Sequence, residues 1–387
     1  MAPTTKPFIT LVSLLAMAST LSCSSDYEVV GEAVDVDPGD VTECGFTPVS
    51  ETKMSRYDCN PVFTSADESW GPNVSSIGFL TTMVSGHPFY QMWYAGTTDS
   101  GWGYGLGYAV SGDGTNWDIN DSNPLFNSID GAWDQDLMDG INIVWDADVN
   151  QYVMAYQGVT LPEGGGGIFD FDIGQWGMGI ATSPDGVTWS KHPANPVIDF
   201  TEAPADIFSE YMSPCWPLSI DKGPYGFTAT IAGNLIDPWS MDPTQHSPCE
   251  VYGASSGTLD QWSIASDPML RADKPYDAAG FTNAAVVQYD GIHYMFYVGS
   301  AEAVNMETYW ASTRTTLNLA TSTDGTNWTK DPNNPLPINL TSTGHVSAVG
   351  AQVVGKRIHL WVSDRYEELD TTGVGYFLFE PDVETHP

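Results

Sequence analysis

The sequence predicts an all-β protein assembled from five like sheets, and three observations carry that expectation. The first is a phrase, Ala181-Thr-Ser-Pro-Asp-Gly-Val-Thr-Trp189. It returns as Ala320-Thr-Ser-Thr-Asp-Gly-Thr-Asn-Trp328 and as Ala109-Val-Ser-Gly-Asp-Gly-Thr-Asn-Trp117, with a worn copy from Gly253 to Trp262. The second is a marker that appears five times: Asn60-Pro61, Asn123-Pro124, Asn195-Pro196, Asp267-Pro268 and Asn334-Pro335. The third is an aromatic run inside the repeating unit, as in Phe89-Tyr-Gln-Met-Trp-Tyr94, Tyr152-Val-Met-Ala-Tyr156, His293-Tyr-Met-Phe-Tyr297 and Ile358-His-Leu-Trp-Val362.

Each element has a local cause. Asp-Gly between strand residues is a hairpin signal, because Gly accepts positive φ and Asp bonds its own backbone. Pro stops a strand, so each marker is a place where the chain turns between units. Within a unit an apolar strand leads to the aromatic strand. A third strand ends in Ala-x-Ser, and the Trp opens a fourth. Four antiparallel strands repeated about an axis describe a β-propeller blade, and radial closure removes the exposed edges that an open stack would leave. Five markers give a five-bladed β-propeller. The fifth unit runs through Val353, Trp361 and Gly373–Phe379, and stops one strand short. Residues 51–59 sit where that strand belongs. They are predicted to complete the last blade, so that an N-terminal strand closes the ring.

The bulk numbers agree with a β-rich, turn-rich chain of 387 residues: 14 Trp, 18 Tyr and 15 Phe accompany 38 Gly and 26 Pro. Lys plus Arg is 12 against 49 Asp plus Glu, a formal charge of −37. Nucleic acid is excluded as a partner, since it needs clustered Lys and Arg. The excess acid reads as a soluble, salt-adapted surface, with cation binding as the alternative.

Residues 1–22 read as a signal peptide. Lys6 is followed by an apolar stretch from Phe8 to Ala18, too short to span a membrane. Leu21-Ser22-Cys23 resembles a bacterial lipoprotein processing site, which would make Cys23 the lipidated first residue of the mature chain. Plain secretion after Ala18 is the alternative. Residues 23–45 are acidic and read as a tether, and residues 46–387 as the propeller. The expected location is therefore the cell envelope or the exterior, with a lipid anchor as the one membrane contact. Cys44, Cys59, Cys215 and Cys249 remain, an even count that reads as disulfides in an exported chain. Three pairings exist. Proximity favours Cys44 with Cys59, which would pin the closing strand, and Cys215 with Cys249. No CxxC spacing supports zinc.

Five units with S-x-D-G-x-x-W turns and Asn-Pro joints resemble the five-bladed propeller glycosidases of families 43, 32 and 130, over roughly residues 50–380. The resemblance implies a carbohydrate substrate, a monomer, and two carboxyls placed across a glycosidic bond by different blades. Met138-Asp139-Gly140 resembles a stretch of family 32 that carries a sugar-binding carboxylate, and so points to Asp139. Glu210, before Pro214-Cys215-Trp216-Pro217, resembles the acid of that family's third blade. In the first blade the matching position falls near Ser75 and Ser76, where no carboxylate stands. The nearest acids are Asp67 and Glu68, before Trp70, and Asp67 or a neighbour would be the base. In the fifth blade Gly344-His345-Val346 loosely matches a family 43 histidine that faces an axial calcium, which offers His345 as a metal residue and Ca2+ as its ion; no cofactor is required.

Trp70, Trp133 and Trp216 precede or enter inner strands and offer stacking surfaces for sugar rings, with core packing as the competing role. Asp277 and Asn283 lie at the mouth of the fourth unit as candidates for hydroxyl binding. Asp146-x-Asp148-x-Asn150 has calcium-loop spacing but lacks the later Gly and Glu, and reads as a hairpin turn. The Gly164–Gly167 run has no following Lys and reads as a flap, not as a phosphate cradle.

The charge balance generates the first prediction. Self-repulsion among 49 acids weakens the folded state most at low ionic strength, where the screening length is roughly 30 Å at 0.01 M against about 3 Å at 1 M. The melting temperature therefore rises as NaCl goes from 10 mM to 1 M. A flat or falling melting temperature across that range contradicts the reading.

Overall fold

The computed structural model of the chain describes residues 44–50, 52–65, 70–71, 73–97, 105–127, 132–135, 137–160, 175–199, 217–233, 249–301, 315–338, 346–366 and 371–381. The chain divides into Met1–Cys44 and Gly45–Pro387, and the second unit is the one described below. Every regular element among its described residues is a strand.

Five antiparallel sheets form five blades. Inner, second, third and outer strands are Asn73–Val84, His87–Thr97, Gly105–Ser111 and Asp118–Ile119 in blade 1. They are Leu137–Asp146, Gln151–Thr160, Gln175–Ser183 and Ser190–Lys191 in blade 2, and Pro217–Gly223, Gly226–Gly233, Glu250–Ser256 and Ser263–Ile264 in blade 3. Blade 4 has Gly280–Tyr289, Ile292–Ser300, Thr315–Ser322 and Thr329–Lys330. Blade 5 has Val346–Val354, Arg357–Tyr366 and Thr371–Phe379, and takes its fourth strand, Met54–Tyr57, from the start of the chain. Met54 pairs with Phe379 and Arg56 with Phe377. Phe46–Pro48 then pairs outside Met54–Tyr57. Each inner strand packs against the inner strands on both sides, and the fifth returns to the first. The ring is a five-bladed β-propeller closed by the early strand.

The repeated phrase works as a turn for reasons visible in its atoms. In blade 4, Ser322 Oγ donates to Asp324 Oδ1 (3.0 Å) and accepts from the Gly325 amide (2.9 Å). Asp324 Oδ1 accepts from the amides of Thr326 (2.8 Å) and Asn327 (2.7 Å). The amide and carboxamide of Asn327 hold the Asp324 carboxyl well below the usual carboxylate range. Gly325 sits at φ 74°, Gly186 at 78° and Gly114 at 80°, where a side chain is strained. The same turns join blades. Trp93 Nε1 of blade 1 donates to the Gly186 carbonyl of blade 2 (2.7 Å), and Trp361 Nε1 of blade 5 to that of Gly114 in blade 1 (3.0 Å). Both indoles are fully buried. Trp361 is stacked between Phe79 (4.4 Å) and Tyr376 (5.1 Å).

The Asn-Pro markers replace part of a strand. Asn60, Asn123, Asn195 and Asn334 each precede a cis proline, and Asp267-Pro268 is not cis. Each of the four carboxamides makes the two bonds that a neighbouring peptide would make. Asn195 Oδ1 accepts from the Ile180 amide (2.9 Å) while its Nδ2 donates to the Ile180 carbonyl (2.9 Å). Asn334 does the same at Leu319, Asn123 at Tyr108 and Asn60 at Tyr376. The short outer strand is thus extended by a side chain.

Blades 2 and 4 also share a buried triad. Asp134 accepts from Tyr156 Oη (2.9 Å) and Lys191 Nζ (2.5 Å); Asp277 accepts from Tyr297 Oη (3.1 Å) and Lys330 Nζ (2.5 Å). Both carboxylates are fully buried. Burial, with the adjacent carboxylate, pushes both tyrosines far up. Blade 1 replaces the pair as a unit. Gly71 backs onto Gly96 as Asp134 does onto Gly158, and Ile119 pairs with Ala109 as Lys191 does with Ala181. Removing one charge of a buried pair costs about 3–5 kcal/mol, whereas an apolar replacement of both is near neutral. Lys191→Met is therefore expected to cost about that much in denaturant unfolding, and Asp134→Gly with Lys191→Ile to recover most of it. An unaltered Lys191→Met midpoint contradicts the pairing.

His359 lies at the seam between blades 5 and 1. Its Nδ1 faces the hydroxyls of Tyr376 (2.5 Å) and Tyr90 (3.4 Å). Burial, with the nearby Arg357, lowers its pKa to about 4 from an ordinary 6.5. The unfolded chain binds this proton first, so the contribution is complete above pH 6.5 and is lost as pH falls towards 4. Its size is about 1–2 kcal/mol after allowance for partial exposure. In His359→Gln the stability lost between pH 6.5 and 4 is smaller than in wild type. An equal loss in both contradicts this assignment.

Candidate functional site

Each inner strand breaks register with its second strand once, close to its start. The breaks lie between Val74 and Ser76, Pro217 and Ser219, Phe281 and Asn283, and Val346 and Ala348. In blade 2, Gly140 and Ile141 together face Tyr156. Such bulges re-aim side chains, and Gly140 at φ 59° permits this one. Met138 opposes Gly158 as Val74 opposes Gly96 and Phe281 opposes Gly299. Asp139 therefore stands where the other blades have Ser75, Leu218, Thr282 and Ser347. Of these five positions, blade 2 alone carries a carboxylate.

Neighbouring blades meet at this level. Ser75 Oγ of blade 1 donates to Asp139 Oδ1 (3.0 Å), and the Gly140 amide donates to the same oxygen (2.8 Å). Ser76 Oγ accepts from the Ile141 amide (3.2 Å). Asp139 is half-buried. Burial raises its carboxyl pKa, against the lowering effect of hydrogen bonds from Ser76, Gly140 and Ser75. Desolvation thus wins over three donors, and the group is poised to hold a proton at higher pH than a surface aspartate.

The other sequence candidates are distributed as follows. Asp277 lies in the buried triad with Lys330 and Tyr297, and its Oδ1 accepts from the Lys274 amide (2.9 Å). Asn283 is buried and its Oδ1 accepts from the Val349 amide (2.9 Å), tying blade 4 to blade 5. These bonds take up oxygens that the sequence offered to sugar hydroxyls. Trp70 stacks on Tyr94 (5.9 Å, 27°), and Trp133 packs on Tyr156 (5.8 Å, 35°). Gly96 and Gly158 leave the room for those two indoles, since a Cβ there would come within 2.4 and 2.5 Å of them. Asp67, Glu210, Trp216, His345, Cys215 and Cys23 lie outside the described residues, as do the signal peptide and all of the tether before Cys44. Cys44, Cys59 and Cys249 are disulfide-bonded. No group of three or more metal-ligating side chains occurs among the described residues.

Sequence reasoning passed over Asp364. It is buried, and pairs with Val346 at the equivalent level of blade 5. It stands where blades 1, 2 and 4 have Gly96, Gly158 and Gly299. That break in a repeated glycine was the signal available.

No family profile matches the sequence, and no curated protein matches it. Solved structures do. A thermostable family 43 glycoside hydrolase is 13% identical, with 81% of this chain and 91% of that one covered at a TM-score of 0.53. A structure titled for the family 130 mannoside phosphorylases, among them glycoside hydrolases that target β-1,2 mannosidic linkages in Candida mannan, is 17% identical, with 89% and 96% covered at 0.54. The Bombyx mori family 32 β-fructofuranosidase is 14% identical, with 79% of this chain and 59% of that one covered at 0.51. The fold is thereby defined: a five-bladed β-propeller. Within it the chain is similar in fold to families 43, 32 and 130 at 12–17% identity.

Proposed function

We propose that this is an exported, lipid-anchored, glycoside hydrolase-like protein acting on poly- or oligosaccharides at the Asp139 end of the hub. The observation that carries the proposal is the Asp139 carboxylate itself. It lies beside an inner-strand bulge, receives a hydroxyl from the next blade, and has a pKa raised by burial. A carboxyl in that state hydrogen-bonds a sugar hydroxyl or tunes a neighbouring acid. In hydrolysis, Glu210 gives its proton to the leaving glycosidic oxygen as the C–O bond breaks. Asp67 takes a proton from the water whose oxygen bonds to the anomeric carbon. Export accords with the disulfide-bonded cysteines. An axial Ca2+ beside His345 belongs to the same proposal.

A second reading is favoured by Ser75. The blade 1 position equivalent to Asp139 holds a hydroxyl that donates to Asp139, so those two positions supply one carboxylate and not two. A propeller of this kind binds glycan without cleaving it.

Arabinan, xylan, fructan and mannan form the test panel. Wild type releases reducing sugar from at least one of them. Asp139→Asn and Glu210→Gln each lower the rate at least ~100-fold with an unchanged melting temperature. Full activity in both variants overturns the site assignment. Retention of wild type on a glycan affinity gel without any release selects the second reading.

A further inference from the structure

The inner hairpin of blade 3 differs from its counterparts. Blades 1, 4 and 5 turn between inner and second strands on Ser85-Gly86, Asp290-Gly291 and Gly355-Lys356, small or polar pairs of the kind a turn needs. Blade 3 turns on Pro224-Tyr225, and Tyr225 is 96% exposed, well above Met83 at 62% and Val149 at 60%. A tyrosine adds nothing to such a turn, and this one packs against nothing that hides it.

The worn repeat lies beside it. In blades 1, 2 and 4 the Asp of the Ser-x-Asp-Gly turn folds back over its own amides. Blade 3 has Ser256-Gly257-Thr258-Leu259-Asp260-Gln261 in that place, and a Cβ built on Gly257 meets nothing within 4 Å. The chain therefore leaves a cleft of about 450 Å3 between the hairpin and the altered turn, within the ~300–1,000 Å3 of small-ligand sites. Gly226, at φ 129°, lets the two segments approach, since a Cβ there would come within 2.1 Å of the Ser256 carbonyl oxygen.

The lining decides the chemistry. Tyr225 supplies an exposed aromatic face and Phe227 an apolar floor, while Ser255, Gln261 and Ser263 are exposed and bring hydroxyls and a carboxamide. None of the lining residues is charged, in a chain with 49 acids. Lys222, next in sequence to the lining residue Gly223, is bonded to Asp148 (2.8 Å) and lies over the Phe227 ring (5.0 Å). An anion finds no free positive charge in the lining, and a cation no carboxylate. A ligand with an apolar C–H face and several neutral hydroxyls matches both halves of the surface.

We infer that this cleft is a second binding site, for a neutral carbohydrate, at the end of the ring opposite Asp139. The inner strand of blade 3 runs Pro217–Gly223, so at ~3.3 Å per residue the two ends are roughly 20 Å apart. A sugar here stacks on Tyr225 and bonds Gln261, and holds a polymer to the protein without taking part at the hub. The ligand class rests on the glycan reading of the hub, but the cleft itself does not.

Affinity electrophoresis in gels cast with arabinan, xylan, fructan or mannan tests it, with Tyr225→Ala, Gln261→Ala and Asp139→Asn beside wild type. Tyr225 and Gln261 are exposed, so neither change disturbs folding. The expected result is about a tenfold weaker retention in Tyr225→Ala and a several-fold weaker one in Gln261→Ala. Hydrolysis of short oligosaccharides is unchanged in both. Unaltered retention in Tyr225→Ala and Gln261→Ala, with retention lost in Asp139→Asn, overturns the second site and leaves the hub reading standing. Retention lost in Tyr225→Ala but kept in Asp139→Asn supports the second site and removes the hub. A wild type retained by none of the four polymers overturns the second site.

Discussion

The fold depends on the pairing of Met54–Tyr57 with the last strand, Thr371–Phe379. Before that pairing blade 5 has three strands, and Thr371–Phe379 presents an unpaired edge. The pairing covers the edge and ties the two ends of a five-sheet ring together. Aromatic packing at the same seam makes the closure more than a row of backbone bonds. Phe46 and Tyr57 pack on Tyr376, which stacks on Trp361, whose indole reaches the turn of blade 1. The indole-to-glycine bond at Trp361 has its counterpart at Trp93 and Gly186, so the repeated turn phrase is both a hairpin and an inter-blade socket.

A closed ring brings the starts of five inner strands to one level, and the register breaks fall there. What each blade contributes is then a matter of one residue. Ser75, Thr282 and Ser347 bring hydroxyls and Asp139 a carboxylate. The asymmetry gives this hub its chemistry. Ser75 donates to Asp139 and fixes the carboxylate, and the two equivalent positions share one acid between them. Asp364 adds a buried acid at the same level of blade 5, where a glycine repeats elsewhere.

Much of the architecture was legible because its causes are local. Ser-x-Asp-Gly closes a turn with its own side chains, so three copies announced three hairpins and a fourth copy could be recognised while worn. The closing strand was legible by subtraction, since the fifth unit ran out of chain. The buried triads were not legible. Asp134 and Lys191 are 57 residues apart and meet only when the loop before an inner strand lies against the outer strand of its own blade. Asp277 therefore looked like a free acid at a blade mouth, and Asn283 like a free carboxamide, because sequence reports residue type and not the partner already in place. Asn60, Asn123, Asn195 and Asn334 were read for the proline that follows them; their role as surrogate peptides emerges only once the third strand lies alongside. Asp139 was singled out through the family-like stretch around it, and the inter-blade bond from Ser75 needed the ring.

The central claim is that the Asp139 end of the hub receives sugar. A crystal soaked with an oligosaccharide of the polymer that binds best tests it most directly. The account predicts a sugar hydroxyl within about 3 Å of the Asp139 carboxylate, a hydrogen-bond distance, with Ser75 still bonded to Asp139. A hub holding only water, with sugar ordered solely elsewhere on the ring, contradicts it.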